Sequence, residues 1–414
     1  MPENASDAEV VIVGAGIAGG ALGTTLARGG KSVLILEKTT EHKDRVRGEW
    51  MAPWGVAETK RLGIYDLLRA AGGHHPTRHV EYDEIVDPEI ARANAFDLSA
   101  MLPDIPGPLC LGHPTMCNLL DEAATDAGAT LLRGVENVQV TSGTSPRITF
   151  RHDGTDHTLT PRLIVGADGR NSVVRKQVGI VEHHDPTHHF MAGLLVEGIE
   201  GWPEDVQTVG TEGDVNFLVF PQGSGRARLY ICISRDQANR VAGPEGPANF
   251  LKAFHLRSVP QSAAITAGRP AGPCNAFPNR DTWTDVQAVP GVVLIADAAG
   301  HNDPLIGQGL SIALRDVRLV RDLLLAEQDW RPETFTPYVE ERAERMRRLR
   351  YSSRLLSILE CEFGPEAAQR RARAVARMIE DPIFASAKMA AFVGPEVPPA
   401  EGFTEAAQER LLAP

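Results

Sequence analysis

The residues best suited to chemistry stand in three stretches that combine glycines with an acid, and the first stretch is Gly14, Gly16 and Gly19 followed by Glu37. The glycines form a G-x-G-x-x-G pattern directly after the apolar run Val10 to Val13. Such glycines permit a tight turn, let the backbone approach a pyrophosphate and let a helix pack closely on a strand. An acid about 20 residues further on accepts hydrogen bonds from a ribose diol. The stretch therefore predicts a dinucleotide site, with phosphates at a helix N-terminus and the ribose at Glu37.

The second and third stretches each place an aspartate at the end of an apolar strand. Asp168 follows Leu163 to Val165, and Asp297 follows a strand that begins at Val292. Ligands bind open α/β sheets at the carboxyl ends of strands, which predicts a binding role for both acids. Asp168 also has the position of a helix N-cap, so a purely structural role for it stays open.

A second glycine-rich turn follows Asp297. Pro304 and Gly307-Gln308-Gly309 precede a long apolar helix that starts near Leu310. The positive end of a helix favours negative charge, so this turn repeats the arrangement of the first one. One dinucleotide is expected to reach both turns, with its adenosine half near Glu37 and its far half near Gly309.

Residues beside these turns are expected to complete the cofactor site. The loop after Glu37 carries Arg45 and Arg47, and one of the two, with Arg45 favoured, is expected to pair with the pyrophosphate. A solvated basic loop is the alternative. Further cofactor contacts are predicted for Ala18, Lys38, Val138 and Leu310.

The elements that must position these residues predict an α/β fold with three parts. A Rossmann-like cofactor domain is predicted from residues 1–73, 107–182 and 281–335, and a β-sheet substrate domain from residues 74–106 and 183–280. Residues 336–414 are expected to form a helical region whose arginines lie on solvated faces. The residues expected to line the substrate site are mostly aromatic: Phe190, Trp202, Phe217, Phe220, Tyr230 and Pro304.

Composition excludes several other classes of protein. A net charge of -12 argues against a nucleic-acid partner. No apolar run reaches the roughly 18 residues of a membrane span, and Met1 to Ala8 is too polar for a signal peptide. Five scattered cysteines without a C-x-x-C pair indicate reduced thiols and predict a cytoplasmic protein.

The histidine-rich segment His183 to His189, HHDPTHH, contains residue types that commonly bind metal ions. No cysteine or further cluster in the sequence completes a tetrahedral ligand set beside it, so a solvated loop is expected and no metal is predicted.

The three stretches, in this order, resemble the superfamily of FAD-dependent aromatic hydroxylases and ubiquinone hydroxylases. G-A-G-I-A-G is similar to its FAD turn, G-A-D-G-R-N-S-V-V-R to its "DG" motif and A-D-A-A-G-H-N-D-P-L-I-G-Q-G to its "GD" motif. The segment D-R-V-R-G-E, Asp44 to Glu49, is similar to the squalene epoxidase branch. The resemblance implies a GR2-type FAD domain in which Glu37 holds the adenosine ribose, Arg45 the pyrophosphate and Asp297 the ribityl chain.

The resemblance further implies a monooxygenase in which NAD(P)H reduces FAD and a C4a-hydroperoxide of the flavin passes one oxygen atom to the substrate. Pro304, Gly307, Gln308 and Gly309 would then lie along the flavin edge, acting through their backbone. A small aromatic, quinone-like, polyketide or terpenoid molecule is expected to be hydroxylated or epoxidised. No side-chain base is assigned, although His79, His113 and His301 are candidates. Because the sequence has no second G-x-G-x-x-G, either NAD(P)H docks transiently or a partner flavin reductase supplies the electrons.

This sequence departs from the family pattern at Ala296, where the "GD" motif has glycine, and at Gly300, where hydroxylases often have histidine. Three alternatives stay open. A halogenase shares the fold, but its W-x-W-x-I-P motif is missing here. A flavin-dependent reductase of prenyl double bonds has a similar "DAAG" turn. A flavin-binding protein without turnover would keep all the binding residues.

Overall fold

The computed structural model describes residues 8–46 and 48–414. Its strands, numbered in chain order, are β1 Val10–Val13, β2 Val33–Glu37, β3 Trp50–Met51, β4 Arg78–Asp83, β5 Phe96–Asp97, β6 Leu109–Cys110, β7 Thr130–Arg133, β8 Glu136–Thr141, β9 Arg147–His152, β10 Thr155–Leu159, β11 Leu163–Gly166, β12 His183–His184, β13 His189–Glu197, β14 Val206–Glu212, β15 Val215–Gly223, β16 Arg226–Ile233, β17 Arg269–Pro270, β18 Asn275–Asn279, β19 Thr282–Trp283, β20 Ala288–Val289 and β21 Val292–Leu294.

Its α-helices are α1 Ile17–Arg28, α2 Pro53–Arg61, α3 Tyr65–Ala70, α4 Pro88–Ala93, α5 His113–Asp126, α6 Val173–Gln177, α7 Gly246–Lys252, α8 Ser262–Ala267, α9 Gly309–Ala326, α10 Thr336–Glu360, α11 Pro365–Glu380, α12 Ser386–Val393 and α13 Glu405–Leu412. Within the described ranges, none of these helices combines the length and the apolar character needed to cross a bilayer.

The first sheet carries the three predicted turns at one edge. Its order is β20-β21-β11-β1-β2-β7, and all strands from β21 to β7 run parallel. These strands are short apolar runs that are buried on both faces, as is usual for parallel sheets. Because their carboxyl ends meet at the same edge, the residues that follow β1, β2, β11 and β21 come together there.

Each face of this sheet is covered by a different layer. Val10 and Ile12 of β1 pack with α1, α5 and α9 in one hydrophobic core. Val11 and Val13, on the other face, pack with the three-stranded sheet β10-β9-β8, in which β9 and β10 form a hairpin. The α/β class with a Rossmann-like parallel sheet, which the sequence predicts, is confirmed.

The second sheet is larger and is assembled from two separate parts of the chain. Its order is β17-β13-β16-β15-β14-β4-β5, and β18 also pairs with β13. The parallel pairing of β4 with β14 joins the excursion at residues 74–106 to the strands at 183–280. One face of the sheet packs on α7 and α8 through a core that contains Phe250, Phe254 and Ile265.

The other face of the second sheet meets the C-terminal helices. Leu349, Leu355, Leu356 and Leu359 of α10 share a core with Phe220 and other residues of this face. Helices α11 and α12 add to the same core. The C-terminal helices therefore close the space between the two sheets.

Candidate functional site

The first glycine turn has the close packing that its pattern predicts. Gly14 has φ +104°, and a Cβ there would lie 2.5 Å from the carbonyl oxygen of Ala167. A Cβ on Gly19 would overlap the carbonyl oxygen of Gly14. Gly16 differs, because its φ is -71° and no atom lies within 4 Å of the position of a Cβ. Gly14 and Gly19 are therefore required by the fold, whereas Gly16 keeps space open.

That space belongs to a cavity of about 990 Å³, and Gly14, Gly16 and Ala18 form part of its wall. Gly16 is the N-cap of α1 and no side chain caps this helix. The first N–H groups of a helix have no partner within the helix. The wall therefore presents backbone donors and a positive helix end, both suited to a phosphate.

Glu37 ends β2 on the same cavity, next to Lys38. Its Oε2 accepts a hydrogen bond from Ala15 N at 2.8 Å, and its Oε1 accepts from Thr39 N at 2.9 Å and Thr39 Oγ1 at 2.7 Å. Burial opposes ionisation, but these hydrogen bonds outweigh it and lower the pKa of Glu37 below its usual value. The carboxylate is therefore anionic and fixed in orientation, which suits a pair of ribose hydroxyls.

The loop that carries Arg45 is anchored to the second sheet. Arg228 of β16 is 1% exposed and donates hydrogen bonds to Glu49, at 2.9 Å from Nη2 to Oε1, and to Asp44, at 2.6 Å. Arg45 lines the cavity. Arg47, the other arginine proposed for the pyrophosphate, lies outside the described residues. The two acids of the D-R-V-R-G-E segment thus fix the loop in which Arg45 lines the cavity.

Asp168 caps a helix and also lies on the cavity wall. Its Oδ2 accepts hydrogen bonds from Val173 N at 2.6 Å and Val174 N at 3.2 Å, so it caps the start of α6. Its Oδ1 is buried, finds no partner among the described residues, and belongs to a residue on the cavity wall. An acceptor in this state fits a ligand that supplies a donor.

Asp297 lies in a short turn that explains one departure from the family pattern. Arg170 Nε donates to Asp297 Oδ2 at 3.3 Å, and both residues line the cavity. The preceding Ala296 has φ +53°, a left-handed conformation that glycine adopts without strain. A glycine at position 296, as in the family pattern, would adopt this conformation without strain. In this chain the alanine is kept in it by hydrogen bonds from other elements.

Buried arginines of α10 hold the Ala296 turn. Arg342 donates to the carbonyl oxygens of Ala296 at 3.1 Å and Gly300 at 2.8 Å, and Asp316 accepts from Ala296 N at 2.7 Å. Asp316 also pairs with Arg342 and Arg345, all three buried. The prediction that the arginines of this helix lie on a solvated face is wrong for Arg342 and Arg345. Sequence periodicity missed them because their buried partner lies on another helix, α9.

The second glycine turn faces the same cavity as the first. Gly307 has φ +66°, and a Cβ there would lie 2.7 Å from Cε3 of Trp50. The side chain of Gln308 accepts a hydrogen bond from Trp54 Nε1 at 2.8 Å and donates one to Ala391 O at 3.1 Å. It therefore does not cap α9. A Cβ on Gly309 would meet no atom within 4 Å. The uncapped start of α9 is therefore a second positive helix end on this cavity.

The cavity brings together most of the residues singled out in the sequence. Those on its wall are Gly14, Gly16, Ala18, Glu37, Lys38, Arg45, Val138, Asp168, Asp297, Pro304, Gly307, Gln308, Gly309 and Leu310. Gly19 lies behind the turn, where it has a packing role. Trp50, His79, Met191 and Phe392 also line the cavity and were not assigned from the sequence, although His79 was considered as a base.

Alternate residues of the second sheet form the side of the cavity for which a substrate is predicted. Phe220 and Tyr230 lie on it together with Pro304, as predicted. Phe217 does not, and that prediction is wrong: it is fully buried in the core against Phe254, on the opposite face of β15. Phe190 and Trp202 also belong to that opposite core. Successive residues of a strand face opposite sides, so neighbours such as Phe217 and Leu218 cannot both line the site.

A buried pair of aspartates lies under the Pro304 turn. Asp303 caps the turn by accepting from Leu305 N at 3.0 Å, and Asp281 accepts from Asp303 N at 2.9 Å. Burial raises the pKa of each carboxyl to about 7, and the nearby Asp303 charge adds to the effect on Asp281. A group that keeps its proton in the native state but loses it on unfolding stabilises the protein at low pH, and this stabilisation fades as pH rises through about 4 to 7.

Asp303→Asn is therefore expected to change the pH dependence of stability. At pH 5 the variant and the original protein should have similar free energies of unfolding in urea. At pH 8 the variant should be more stable by on the order of 2 kcal/mol, because it has no charge to bury. The exposed Asp126→Asn should show no such pH-dependent difference. A difference of the same size at both pH values would contradict the assigned titration.

The last histidine of the HHDPTHH segment has neighbours that the sequence did not reveal. His189, Cys232 and Cys361 are buried, and one potential ligand atom from each lies within 4.8 Å of the others. The expected solvated loop is wrong for His189, which is buried at the start of β13, and the pairing of β13 with β16 brings Cys232 near it. Three such groups form an incomplete tetrahedral set.

Comparison with known proteins yields relatives that are named as monooxygenases, epoxidases and a reductase. Squalene monooxygenase SE1 of Panax ginseng is 26% identical over 333 residues, which cover 79% of this chain and 60% of that protein. The chain thus spans about three fifths of that relative. Menaquinone reductase of Mycolicibacterium smegmatis is 24% identical over 332 residues, or 77% of this chain and 76% of that one.

Solved structures share the fold. The p-nitrophenol 4-monooxygenase of Pseudomonas putida DLL-E4 superposes with a TM-score of 0.76 at 17% identity, covering 94% of this chain and 96% of that one. The flavin-dependent brominase Bmp2 superposes with a TM-score of 0.73 at 18% identity, covering 98% of this chain and 97% of that one.

A family model described as "FAD binding domain" matches residues 7–352. The match includes all three turns and both sheets. It confirms the FAD-dependent family expected from the G-x-G-x-x-G, "DG" and "GD" motifs. The chain therefore belongs to the FAD binding domain family.

Proposed function

We propose that this protein is an FAD-dependent monooxygenase that hydroxylates or epoxidises a small organic molecule. The observation that carries the proposal is that both glycine turns open onto one cavity, which continues between the two sheets into an apolar chamber. A volume of about 990 Å³ lies at the upper end of the range for ligand sites, as expected of a space that holds both a dinucleotide and a substrate.

The residues on the cavity wall fit FAD. The uncapped N-terminus of α1 and Arg45 would hold the pyrophosphate, and Glu37 the adenosine ribose. The orphaned Oδ1 of Asp168 and the carboxylate of Asp297 offer acceptors to the hydroxyls of the cofactor. The backbone from Pro304 to Gly309 would lie along the flavin. When bound, FAD supplies the electron transfer and oxygen activation that no amino-acid side chain provides.

The protein's contribution is then positioning, charge and the exclusion of water. The start of α9 presents N–H groups and a positive helix end to the flavin side of the cavity, which favours negative charge there. Phe220, Tyr230 and Met191 give the neighbouring chamber apolar walls, which keep water from reactive oxygen species.

We further propose that the electrons come from NADH or NADPH, either directly or through a partner flavin reductase. The basis is the single dinucleotide turn and the family relationship. The predicted division into a cofactor part, a substrate part and a C-terminal helical part is likewise our proposal, supported by the pairing of β4 with β14. The five cysteine thiols, none of them in a disulfide, support a reducing compartment such as the cytoplasm.

A turnover experiment tests the function. The FAD-loaded protein would receive NADPH or NADH, with and without a flavin reductase, under ¹⁸O₂. Squalene, a menaquinone and p-nitrophenol serve as probes, since they represent the compounds named for the similar proteins. Incorporation of ¹⁸O into one of them, or into a wider panel of aromatic and terpenoid compounds, supports the proposal.

The same experiment separates the alternatives. Reduction of a prenyl double bond without oxygen incorporation would replace the proposal with a reductase. Bromination or chlorination of a probe in the presence of halide would replace it with a halogenase. A bound flavin that no electron donor reduces would indicate a binding protein without turnover.

A further inference from the structure

A group of charged side chains lines the cavity on the side of the C-terminal helices. We call it the end cluster, and its members are Glu81, Asp83, Glu84, Glu360, Arg371 and Lys388. All of them except Glu84 lie on the cavity wall. They come from β4 and the turn after it, from the last residue of α10, and from α11 and α12. Charged groups in such a setting are costly unless they have partners.

The end cluster holds more acids than cations. Lys388 is bonded to Glu81, and Arg371 donates to Asp83 at 2.9 Å and to Glu84 at 2.8 Å. Glu360 is the fourth carboxylate against two cations, and no ion pair is formed with it within 4.0 Å among the described residues. Burial raises the pKa of Glu360 to about 7, and Lys388 opposes the rise. In the part of the chain that the structure describes, no side chain or backbone N–H donates to the carboxylate of Glu360, so its oxygens can accept from a ligand.

A row of side-chain contacts connects the end cluster to the second glycine turn. Trp50, whose ring lies against Gly307, donates from Nε1 to Gln207 Oε1 at 2.7 Å. Gln207 Nε2 lies 3.1 Å from His79 Nδ1, and His79 Nε2 lies 3.5 Å from Glu81 Oε1. Because the amide of Gln207 donates to Nδ1, the proton of neutral His79 is on Nε2 and faces Glu81.

Between the end cluster and the second glycine turn, the cavity wall is mainly apolar. Phe392 packs against Trp50 at one point, with ring centroids 6.4 Å apart, and against His79 at another, 5.3 Å apart. Leu359, Met378 and Met389 add further apolar surface to the cavity wall. A molecule in this space meets mainly apolar groups near the Gly307 turn and carboxylates at the end cluster.

We propose that the end cluster binds a hydrogen-bond-donating end group, a hydroxyl or a protonated amine, on an otherwise apolar substrate, with Glu360 as the acceptor. The apolar part of the substrate then lies toward the turn from Pro304 to Gly309. The inference rests on the proposed function, since it names the class of molecule that the cavity takes. The excess of carboxylates predicts that an anionic end group is rejected.

The test compares molecules that differ only in their end group. Decylamine, decanol and decanoate would be titrated into the FAD-loaded protein at a pH above the pKa of about 7 of Glu360, so that its carboxyl is ionised, with binding followed by calorimetry and by the flavin absorbance. The amine or the alcohol should bind at least tenfold tighter than decanoate, since a hydrogen bond to a charged group is worth about ten- to a hundredfold in affinity. Equal binding, or tighter binding of decanoate, would overturn the proposal.

The variant Glu360→Gln tests whether Glu360 causes the preference for donor-bearing end groups. This variant should lose at least tenfold of the discrimination between the donor-bearing ligands and decanoate. Glu344→Gln, at an exposed position of the same helix, should retain it. If Glu360→Gln discriminated between the ligands as the original protein does, Glu360 would not be the acceptor. If that variant failed to fold, the ligand series on the original protein would still test whether the cavity prefers a donor-bearing end group. Because the readout is binding, a protein that discriminates but does not oxygenate would refute the proposed function alone.

Discussion

Gly16→Val is expected to abolish FAD binding while leaving the fold of the protein intact. Gly14 and Gly19 cannot serve for this experiment, because a side chain there would collide with the protein's own backbone. At Gly16 the backbone is extended and a side chain would enter only the cavity. Valine would occupy the space where the backbone approaches the pyrophosphate, so we expect FAD affinity to fall at least a hundredfold, or by about 2.7 kcal/mol.

The control for this experiment is a glycine with the same local role away from the cavity wall. Gly112 is the extended N-cap of α5, and a Cβ there makes only an ordinary contact of 3.7 Å with Thr115. Gly112→Val should therefore lose the same helix-capping stability as Gly16→Val, about 1 kcal/mol or less, but should still bind FAD. Affinity would be measured by adding FAD to each apoprotein. Full FAD occupancy in Gly16→Val would contradict the placement of the cofactor.

Arg228→Leu is expected to cost about 3–5 kcal/mol in the free energy of unfolding. The side chain is buried, and its removal leaves the carboxylate of Glu49, itself 3% exposed, without its main partner. An uncompensated buried charge is among the most destabilising changes in a protein. Because Glu49 and Asp44 flank Arg45, the variant should also bind FAD more weakly. Urea unfolding, followed by circular dichroism, measures the first effect.

Two further variants make this prediction specific. Arg226→Leu removes an exposed arginine at the start of the same strand and should change stability by no more than about 0.5 kcal/mol. The double variant Glu49→Leu with Arg228→Leu removes both charges and should be more stable than Arg228→Leu alone. If the double variant were less stable than the single one, charge burial would be the wrong explanation.

The positions of the cofactor residues were predictable because they depend on local sequence. Gly14, Gly16 and Glu37 belong to one strand-turn-helix-strand unit, whose geometry is largely fixed by its own residues. Asp168 and Asp297 each end an apolar strand, and parallel pairing brings such ends to one edge. The sequence therefore indicated these residues without any knowledge of tertiary contacts.

The substrate side was less predictable because it depends on contacts between distant segments. The apolar run around Phe217 and Phe220 shows a strand but not which face meets the cavity, and Phe217 proved to be on the far side. Lys388 and Glu360 reach the cavity only through the packing of the C-terminal helices. The sequence offered one sign of this charged site, a lysine within the apolar stretch Phe384 to Val393. It did not indicate that the partner of this lysine is Glu81.

The order in which the chain visits the two sheets has a consequence for engineering and for evolution. The chain enters the second sheet at β4, returns to the first for β7 and β11, leaves again for β13 to β18, and comes back at β20. No single cut therefore separates the first sheet from the second. Exchange of substrate preference between relatives cannot proceed by swapping one contiguous segment, and chimeras would need paired crossovers that transplant residues 74–106 and 183–280 together.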